Sequence, residues 1–259
     1  MRILVTFAVA AEFAAWRRRH PFVRVPSMPE GLDLTRCPIF QKAMGDTEVL
    51  VALTGLGPVR ARRAARYALQ SAPDVCISSG MAGGLKETYR RSDVLVAAQV
   101  AELRGKQVYS CDAALVERAK ACGARPAGKF LTSPTVVGSA EAKRELAGQG
   151  DAVEMESAGV LAAASAASIP VVAIRVISDE AAQDLPLDFN RVLTKRGKVR
   201  PVRLLSSIAT EPAAIRGLLQ LAEDSRRAAA ALAEFLERYI ADLAEPRNTH
   251  AAIAGAERA

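Results

Sequence analysis

Two stretches of the chain carry most of the information about its fold: DAVEMES at residues 151–157 and IRVISD at residues 174–179. Each is an apolar run that ends in carboxylates, and continuous apolar runs are typical of strands buried on both faces of a parallel sheet. Ligands of open α/β sheets bind beyond the carboxyl ends of such strands. Because a carboxylate without a partner is costly to remove from water, we expect these acids and Arg175 to share a polar cleft.

Strand and helix patterns alternate outward from these stretches. Strands are predicted at residues 2–9, 49–53, 74–79, 93–100 and 129–132, and helices at residues 10–19, 59–70, 113–121, 140–147 and 158–167. The glycines of TGLGP, residues 54–58, permit a tight turn, and its proline can open the next helix. The alternation predicts the α/β class: a single domain with a central mixed β-sheet flanked by helices.

From residue 199 onward the pattern changes to helix. One apolar stripe has the spacing i, i+3, i+4 and i+7: Leu232, Phe235, Leu236 and Tyr239. Charged residues flank the stripe, so this helix is expected to dock on the protein rather than to span a membrane. We therefore divide the chain into an α/β domain at 1–195, a docked C-terminal helical extension at 196–245 and a disordered tail at 246–259.

Charge and composition limit the classes of partner. The 259 residues include 35 Lys and Arg against 28 Asp and Glu, and the formal charge of +7 invites a nucleic-acid interpretation. The arginines are scattered along predicted helix faces, however, and aromatic residues make up only 5% of the chain. Without a recognition motif or an aromatic platform on which bases could stack, we expect no nucleic-acid partner.

Cysteines and histidines limit the chemistry. The four cysteines have no Cys-x-x-Cys spacing, which fits a reducing, cytoplasmic environment. His20 and His250 lie outside every strong strand pattern, which argues against a zinc site and a His-centred triad. The apolar run at residues 1–9 is too short for a membrane span, and its charged cluster follows rather than precedes it, unlike in a signal peptide. We expect carboxylate chemistry without a metal or an organic cofactor.

Four segments carry a resemblance to a known family: residues 1–12, 77–85, 153–156 and 175–179. In this order they resemble the purine nucleoside phosphorylase and nucleosidase superfamily, most of all its 5'-methylthioadenosine/S-adenosylhomocysteine nucleosidase branch. The resemblance implies that residues 1–195 form a catalytic domain. It further implies a small-molecule nucleoside substrate, no cofactor and a homodimer.

The resemblance also implies roles for individual residues. Glycosidic cleavage passes through an oxocarbenium-like sugar and needs an acid for the leaving base and a base for water. Asp179 matches the family acid that protonates the purine N7, with Ser178 orienting it, and Glu12 matches the base that activates water. Glu156 matches the carboxylate that grips the ribose hydroxyls, and Met155 matches the side chain packed on the sugar.

Structural explanations compete with these roles. Arg175 matches a family residue near the water or anion position, but it could equally pair with Glu154 or Glu156. The loop from Gly80 to Gly84 could approach the ligand or serve only as a tight turn. The three matched carboxylates could also be a first-turn helix glutamate and two helix N-caps.

The sequence departs from the family pattern at two places in the expected site, and its tail beyond Arg191 is longer than the short terminal helix of the small nucleosidases. Met81 stands where the nucleosidases usually carry Ser or Thr. The segment TSPTVV, residues 132–137, has Val136 and Val137 where many members place an aromatic side chain that stacks on the base. Met81, Val137 and Gly80 are nevertheless expected substrate contacts. The identities of the base and of the 5' substituent stay open.

Three functions remain under consideration. The resemblance implies a nucleosidase that hydrolyses the N-glycosidic bond of a purine nucleoside or a 5'-substituted adenosine derivative. The first alternative is a phosphorylase, which uses phosphate as nucleophile and needs converging arginines; Glu12 at the water position would repel that anion. The second is a catalytically silent nucleoside-binding protein. The apolar helix at residues 59–70 is the expected contact face of the homodimer.

Overall fold

The computed structural model describes residues 1–25, 37–192 and 214–245. In these ranges eleven strands are observed: β1 (Arg2–Phe7), β2 (Val23–Arg24), β3 (Ile39–Met44), β4 (Thr47–Leu53), β5 (Val75–Ser78), β6 (Met81–Gly84), β7 (Val94–Glu102), β8 (Val108–Ser110), β9 (Arg125–Thr132), β10 (Ala152–Glu154) and β11 (Val171–Asp179). The helices are α1 (Ala10–Arg19), α2 (Pro58–Ala68), α3 (Ala113–Ala121), α4 (Ala140–Leu146), α5 (Ser157–Ala166), α6 (Phe189–Val192) and α7 (Ala214–Ala244).

The strands form one mixed sheet in the order β2-β3-β4-β1-β5-β11-β6-β10-β9-β7-β8. The long strand β11 pairs in parallel with β5 and β6 and antiparallel with β7, so the sheet curls back on itself. The pairing of β11 with β6 shifts register between Ile177 and Asp179. Irregularities of this kind re-aim side chains and are frequent beside active sites. The sequence prediction of a central mixed sheet flanked by helices is confirmed.

Helices α2 and α5 pack closely against each other. All but the last residues of α5 are buried, including Gly159. A Cβ atom at Gly159 would lie only 2.2 Å from the carbonyl oxygen of Pro58. Because no real side chain tolerates that distance, glycine is what allows the first turn of α2 to approach α5.

Helix α7 packs against α1 and β11, and it docks on the protein as the apolar stripe predicts. Its stripe residues are buried, and the Tyr239 hydroxyl donates to the Leu115 carbonyl oxygen at 2.8 Å. Ion pairs join its charged side to Arg19, through Glu237, and to Arg91, through Asp224. The predicted boundary at residue 195 and the tail at 246–259 lie outside the described residues. Among the helices that the structure describes, none is long and apolar enough to cross a membrane.

The main difference from the sequence prediction is the segment from Gly80 to Gly84. The pattern predicts a loop, whereas residues 81–84 form strand β6, which lies between β11 and β10. Main-chain hydrogen bonds along both edges stabilise a strand even where the side chains have little strand preference. Strands β2, β3 and β8 are also absent from the sequence prediction, and each lies toward an edge of the sheet.

Candidate functional site

A cavity of about 260 Å³ opens at the carboxyl ends of β10 and β11, beside β6 and the start of α1. The polar residues on its wall are Glu12, Glu154, Glu156, Thr135, Ser178, Asp179 and Ser225, and the apolar ones include Met81, Val136, Val137, Met155, Leu185, Phe189 and Leu221. The strand pattern predicts the acidic residues at this edge of the sheet, and the structure brings them onto one wall.

Glu12 is buried at the first turn of α1, just after β1 ends. Its Oε2 accepts hydrogen bonds from the backbone N–H groups of Ala8 at 2.9 Å and Val9 at 3.2 Å, and its Oε1 accepts from Met81 N–H at 2.9 Å. Burial raises the pKa of Glu12 above its usual 4.5, opposed by these N–H groups and by the charge of Arg175. The side chain therefore does cap its own helix and also reaches across to β6.

Gly80 lies directly behind this carboxylate. Its φ of +146° is rarely adopted by other residues, and a Cβ there would lie 2.8 Å from Glu12 Oε1. Gly80, an expected substrate contact, is not among the residues that line the cavity; its lack of a side chain makes room for Glu12. The glycine after β5 is therefore explained by this close contact with Glu12 rather than by phosphate binding.

Glu154, on the cavity wall, forms a buried ion pair with Arg175, which lies behind it. Arg175 Nη2 donates to Glu154 Oε2 at 2.6 Å, and the same oxygen accepts from the backbone N–H groups of Glu156 at 2.9 Å and Ser157 at 2.7 Å. Thr132 donates its hydroxyl to the other carboxylate oxygen, Oε1. Of the two structural pairings that the sequence leaves open for Arg175, the structure shows the one with Glu154. This network holds the turn between β10 and α5, where Glu156 sits.

Glu156 faces the cavity at the N-cap position of α5. Its Oε1 accepts from the Gly57 N–H at 3.0 Å, which links it to the turn before α2. Burial, together with the charges of Glu154 and Glu12, raises its pKa from 4.5 to about 8, opposed by Arg175 and the Gly57 N–H. Oε2 accepts no hydrogen bond from the described residues, so one carboxyl oxygen is left for a ligand.

Asp179 ends β11 and has partners on both carboxylate oxygens. Ser178 donates its hydroxyl to Oδ1 at 2.7 Å, and Oδ2 forms an ion pair with Lys143 of α4. A Cβ at Gly83 would lie 3.0 Å from Oδ2, so the small residue lets β6 pass close to the carboxylate. Asp179 is therefore held in place by Ser178, Lys143 and β6 together.

Several residues on the wall are not evident from the sequence pattern. Phe189 of α6 supplies an aromatic side chain to a cavity that has only Val136 and Val137 in the segment at residues 132–137. Leu221 and Ser225 belong to α7, so the C-terminal extension contributes to the cavity. No local motif surrounds these residues; only the tertiary contacts of α6 and α7 bring them there. Among the described residues, no group of three or more His, Cys, Asp or Glu side chains could hold a metal ion.

Carboxylates and a hydroxyl at the ends of central strands define this chain as an α/β protein of the nucleoside phosphorylase type. The chain belongs to the phosphorylase superfamily, whose family model matches residues 2–241. The match extends through most of α7, beyond the four segments that carry the sequence resemblance.

Solved structures show the same fold. Futalosine hydrolase of Helicobacter pylori superposes with a TM-score of 0.68 at 17% identity, covering 93% of this chain and 98% of that one. The 5'-methylthioadenosine/S-adenosylhomocysteine nucleosidase of the same organism, with butyl-thio-DADMe-Immucillin-A, gives 0.70 at 18% identity and the same coverage. The enzyme of that name from Neisseria meningitidis, with methylthio-immucillin-A, gives 0.66 at 20%, covering 92% and 98%.

Proposed function

We propose that this protein is a nucleosidase that hydrolyses the N-glycosidic bond of a purine nucleoside or of a 5'-substituted adenosine derivative. The observation that carries the proposal is the meeting of Glu12, Glu156 and Asp179 on one cavity wall, each with a different set of partners. Hydrolysis of this bond needs three separate tasks from polar groups: protonating the base, activating water and anchoring the sugar.

Asp179 is proposed as the general acid. Ser178 and Lys143 fix both of its oxygens, so the carboxyl group has a defined position next to the leaving base. Protonation of the purine at N7 lets the bond electrons move into the base without leaving a full negative charge on it. A positioned general acid contributes roughly 10²-fold to 10⁴-fold in rate.

Glu12 is proposed as the base that activates water. Three backbone N–H groups take three of the roughly four acceptor positions of its carboxylate. One position is left to accept a hydrogen from a water molecule. The raised pKa brings the carboxylate closer to the range in which a general base works well at neutral pH.

Glu156 and Met155 are proposed to hold the ribose. The Oε2 atom of Glu156 is the carboxyl oxygen without a protein hydrogen bond in the described residues, and it is the group we assign to the 2' and 3' hydroxyls. Met155 lies beside it on the cavity wall, where a thioether can pack on the sugar face. Met81 and Val137 are further proposed contacts, and Arg175 acts from behind the wall through Glu154.

A second cavity of about 560 Å³ continues from the first and shares Leu56, Val136, Met155 and Phe189 with it. It reaches the N-terminus of α2 at Pro58. Its wall is mainly apolar, and Arg60 is the one charged residue among the described residues that line it. Such a wall suits a largely apolar 5' substituent. Within the proposed class, this geometry therefore favours purine nucleosides that carry a 5' substituent.

The phosphorylase alternative needs cations where phosphate would bind. The walls of the first cavity, as far as the described residues form them, carry three glutamates and one aspartate but no arginine or lysine. Arg175 is buried and paired with Glu154. Glu12, the proposed base beside the attacking water, would repel an anion there, which favours water over phosphate.

The silent-binding alternative rests on Met81, which replaces a hydroxyl residue of the nucleosidases. The structure uses the backbone N–H of Met81 to hold Glu12, a contact that any side chain at this position would permit. This observation favours an active enzyme, since the departure from the family pattern does not remove a partner of the three carboxylates.

The predicted assembly, domain division and location also remain proposals. We propose a homodimer through α2, where the Val59 side chain is 81% exposed beside the cavity entrance. Residues 1–195 are the proposed catalytic domain, with the extension closing it through α7. Buried thiols at Cys37, Cys76 and Cys111, whose pKa values are raised by desolvation, suit the reducing cytoplasm.

The test is base release from a panel of purine nucleosides, including 5'-alkylthio derivatives, measured with and without phosphate. Release that does not depend on phosphate supports the nucleosidase, whereas strict dependence establishes the phosphorylase. Tight binding of the same nucleosides without release establishes the silent binder. Sedimentation of the active protein as a single 27.5 kDa species at micromolar concentration would contradict the dimer.

A further inference from the structure

Lys143 is unusual because it is a fully buried lysine. It lies in the middle of α4 with no exposed surface, in a helix whose other charged residues are exposed. Its ammonium group donates hydrogen bonds to the carbonyl oxygens of Glu180 and Gln183, both at 2.9 Å, and forms an ion pair with Asp179 Oδ2. The three hydrogens of an ammonium group therefore have three acceptors.

A fully buried ammonium group is expensive for a fold to maintain. Removing such an ion from water costs several kcal/mol even after relaxation, and a buried pair often adds no stability over apolar side chains of the same volume. The charged partner of Lys143 is a residue on the cavity wall. The cost is therefore associated with the site rather than with the core.

The nearby carboxylate of Glu180 already has ion-pair partners of its own. The carboxylate of Glu180 lies within 4 Å of guanidinium groups of Arg90 and Arg91, and it is the Glu180 carbonyl oxygen, not its carboxylate, that contacts Lys143. A Cβ at Gly83 would lie 3.5 Å from Lys143 Cε and 3.0 Å from Asp179 Oδ2. Strand β6 thus packs directly against the ion pair.

We propose that Lys143 is a positioning residue that stores the proton which Asp179 delivers to the leaving base. This inference rests on the proposed nucleosidase function and adds a participant that does not touch the substrate. The pair of Lys143 and Asp179 would act as one acid, with the proton on the amine at rest and the carboxylate as its carrier.

Protons balance over the cycle. As the glycosidic bond breaks, its electron pair moves to the purine, and Lys143 Nζ gives its proton to Asp179, which passes a proton on to the purine ring nitrogen. Lys143 becomes a neutral amine, and Asp179 is again a carboxylate. Water adds its hydroxyl to the sugar and gives its other proton to Glu12, which passes it to solvent. After the base leaves, Lys143 regains a proton from solvent through Asp179, so the enzyme is restored.

The decisive experiment compares two kinds of leaving group. Lys143→Met is assayed on a purine nucleoside, which needs protonation of the base, and on 4-nitrophenyl β-D-ribofuranoside, whose leaving group departs without a proton. We expect turnover of the nucleoside to fall roughly 10²-fold, the usual contribution of a general acid. Turnover of the nitrophenyl riboside is expected to change less than about threefold on the same reasoning. Lys86→Met, which breaks the pair with Asp151 away from the cavity, is the matched control.

Two further variants keep the test informative if Lys143→Met folds poorly. Lys143→Arg retains the charge but cannot release a proton at neutral pH, and we expect it to lose nucleoside turnover while keeping nitrophenyl riboside turnover. In an Asp179→Asn background, Lys143→Met should cause no additional loss, because residues that act as a unit are non-additive.

Equal losses on both substrates, a fully active Lys143→Arg variant, or losses that add in the double variant would overturn the inference. A wild-type protein that releases base while Lys143→Met matches it on both substrates also overturns the inference and leaves the proposed function standing. A wild-type protein that releases no base from any nucleoside overturns the proposed function itself, and the inference with it.

Discussion

Replacing Glu156 with glutamine should stabilise the protein at alkaline pH while impairing its proposed activity. Burial and the nearby charges of Glu154 and Glu12 raise the pKa of Glu156 from 4.5 to about 8. Between these two values the folded protein binds more protons than the unfolded chain, so stability falls as the pH rises through this window. The penalty is absent well below pH 4.5 and complete above pH 8.

The magnitude follows from the two pKa values. Each pKa unit corresponds to about 1.4 kcal/mol, so full ionisation costs on the order of 5 kcal/mol. Because Glu12 and Glu156 interact and share part of this cost, we expect Glu156→Gln to gain about 2 to 4 kcal/mol at pH 9. The gain at pH 5 should be below about 1 kcal/mol, since Glu156 is then neutral in the folded protein. The glutamine carbonyl can still accept from the Gly57 N–H.

The assay is thermal unfolding of the wild type and the variant at pH 5 and pH 9. For a chain of this size 1 kcal/mol corresponds to about 2 to 4 °C in Tm, so the variant should melt about 5 to 15 °C higher at pH 9. Glu154→Gln is the matched control: it leaves Arg175 buried without its carboxylate and should destabilise at both pH values. If Glu156→Gln gave the same change in Tm at both pH values, the assignment of the buried charge would be refuted.

Three further predictions concern the site and the packing behind it. Asp179→Asn should reduce nucleoside turnover roughly 10²-fold or more in a steady-state assay, because the positioned acid is lost; near-normal turnover would remove Asp179 from the mechanism. Glu156→Gln should weaken discrimination against 2'-deoxy substrates, since a site built to bond a hydroxyl rejects analogues that lack it; an unchanged ratio of the two kcat/KM values would contradict the ribose contact. Gly159→Ala should cost about 1 to 3 kcal/mol in chemical denaturation, because its methyl group would collide with Pro58 and displace α2; a wild-type midpoint would show that α2 shifts freely.

Much of the site can be predicted because it depends on local pattern. An apolar run that ends in an acid indicates both the strand and the place where its carboxylate emerges, so the pattern alone assigns Glu156 and Asp179 to the same edge of the sheet. Glu12 is indicated by the family resemblance and by its place shortly after the first strand. The competing explanation for Glu12, a helix-capping role, is also present, since its side chain accepts from Ala8 and Val9 N–H.

The prediction of a loop at residues 80–84 is wrong for a physical reason. Glycines have a low strand preference, and local sequence gives no sign that two neighbouring strands will satisfy the main chain on both edges. The local sequence likewise gives no reason to prefer Glu154 over Glu156 as the partner of Arg175. Only the register of β10 beside β6 and β9 decides that Glu154, and not Glu156, faces the guanidinium group.

The α/β class, most of the central strands and helices, and the places of Glu156 and Asp179 at strand ends follow from the amino-acid pattern, because each depends on periodicity or on residues adjacent along the chain. The pairing of Lys143 with Asp179 and the closure of the cavity by Phe189, Leu221 and Ser225 follow only from the tertiary fold. These residues lie in helices with no motif of their own. Their positions depend on how α4, α6 and α7 pack against the rest of the protein. The apolar stripe of α7 predicts that this helix docks, but not which surface it meets.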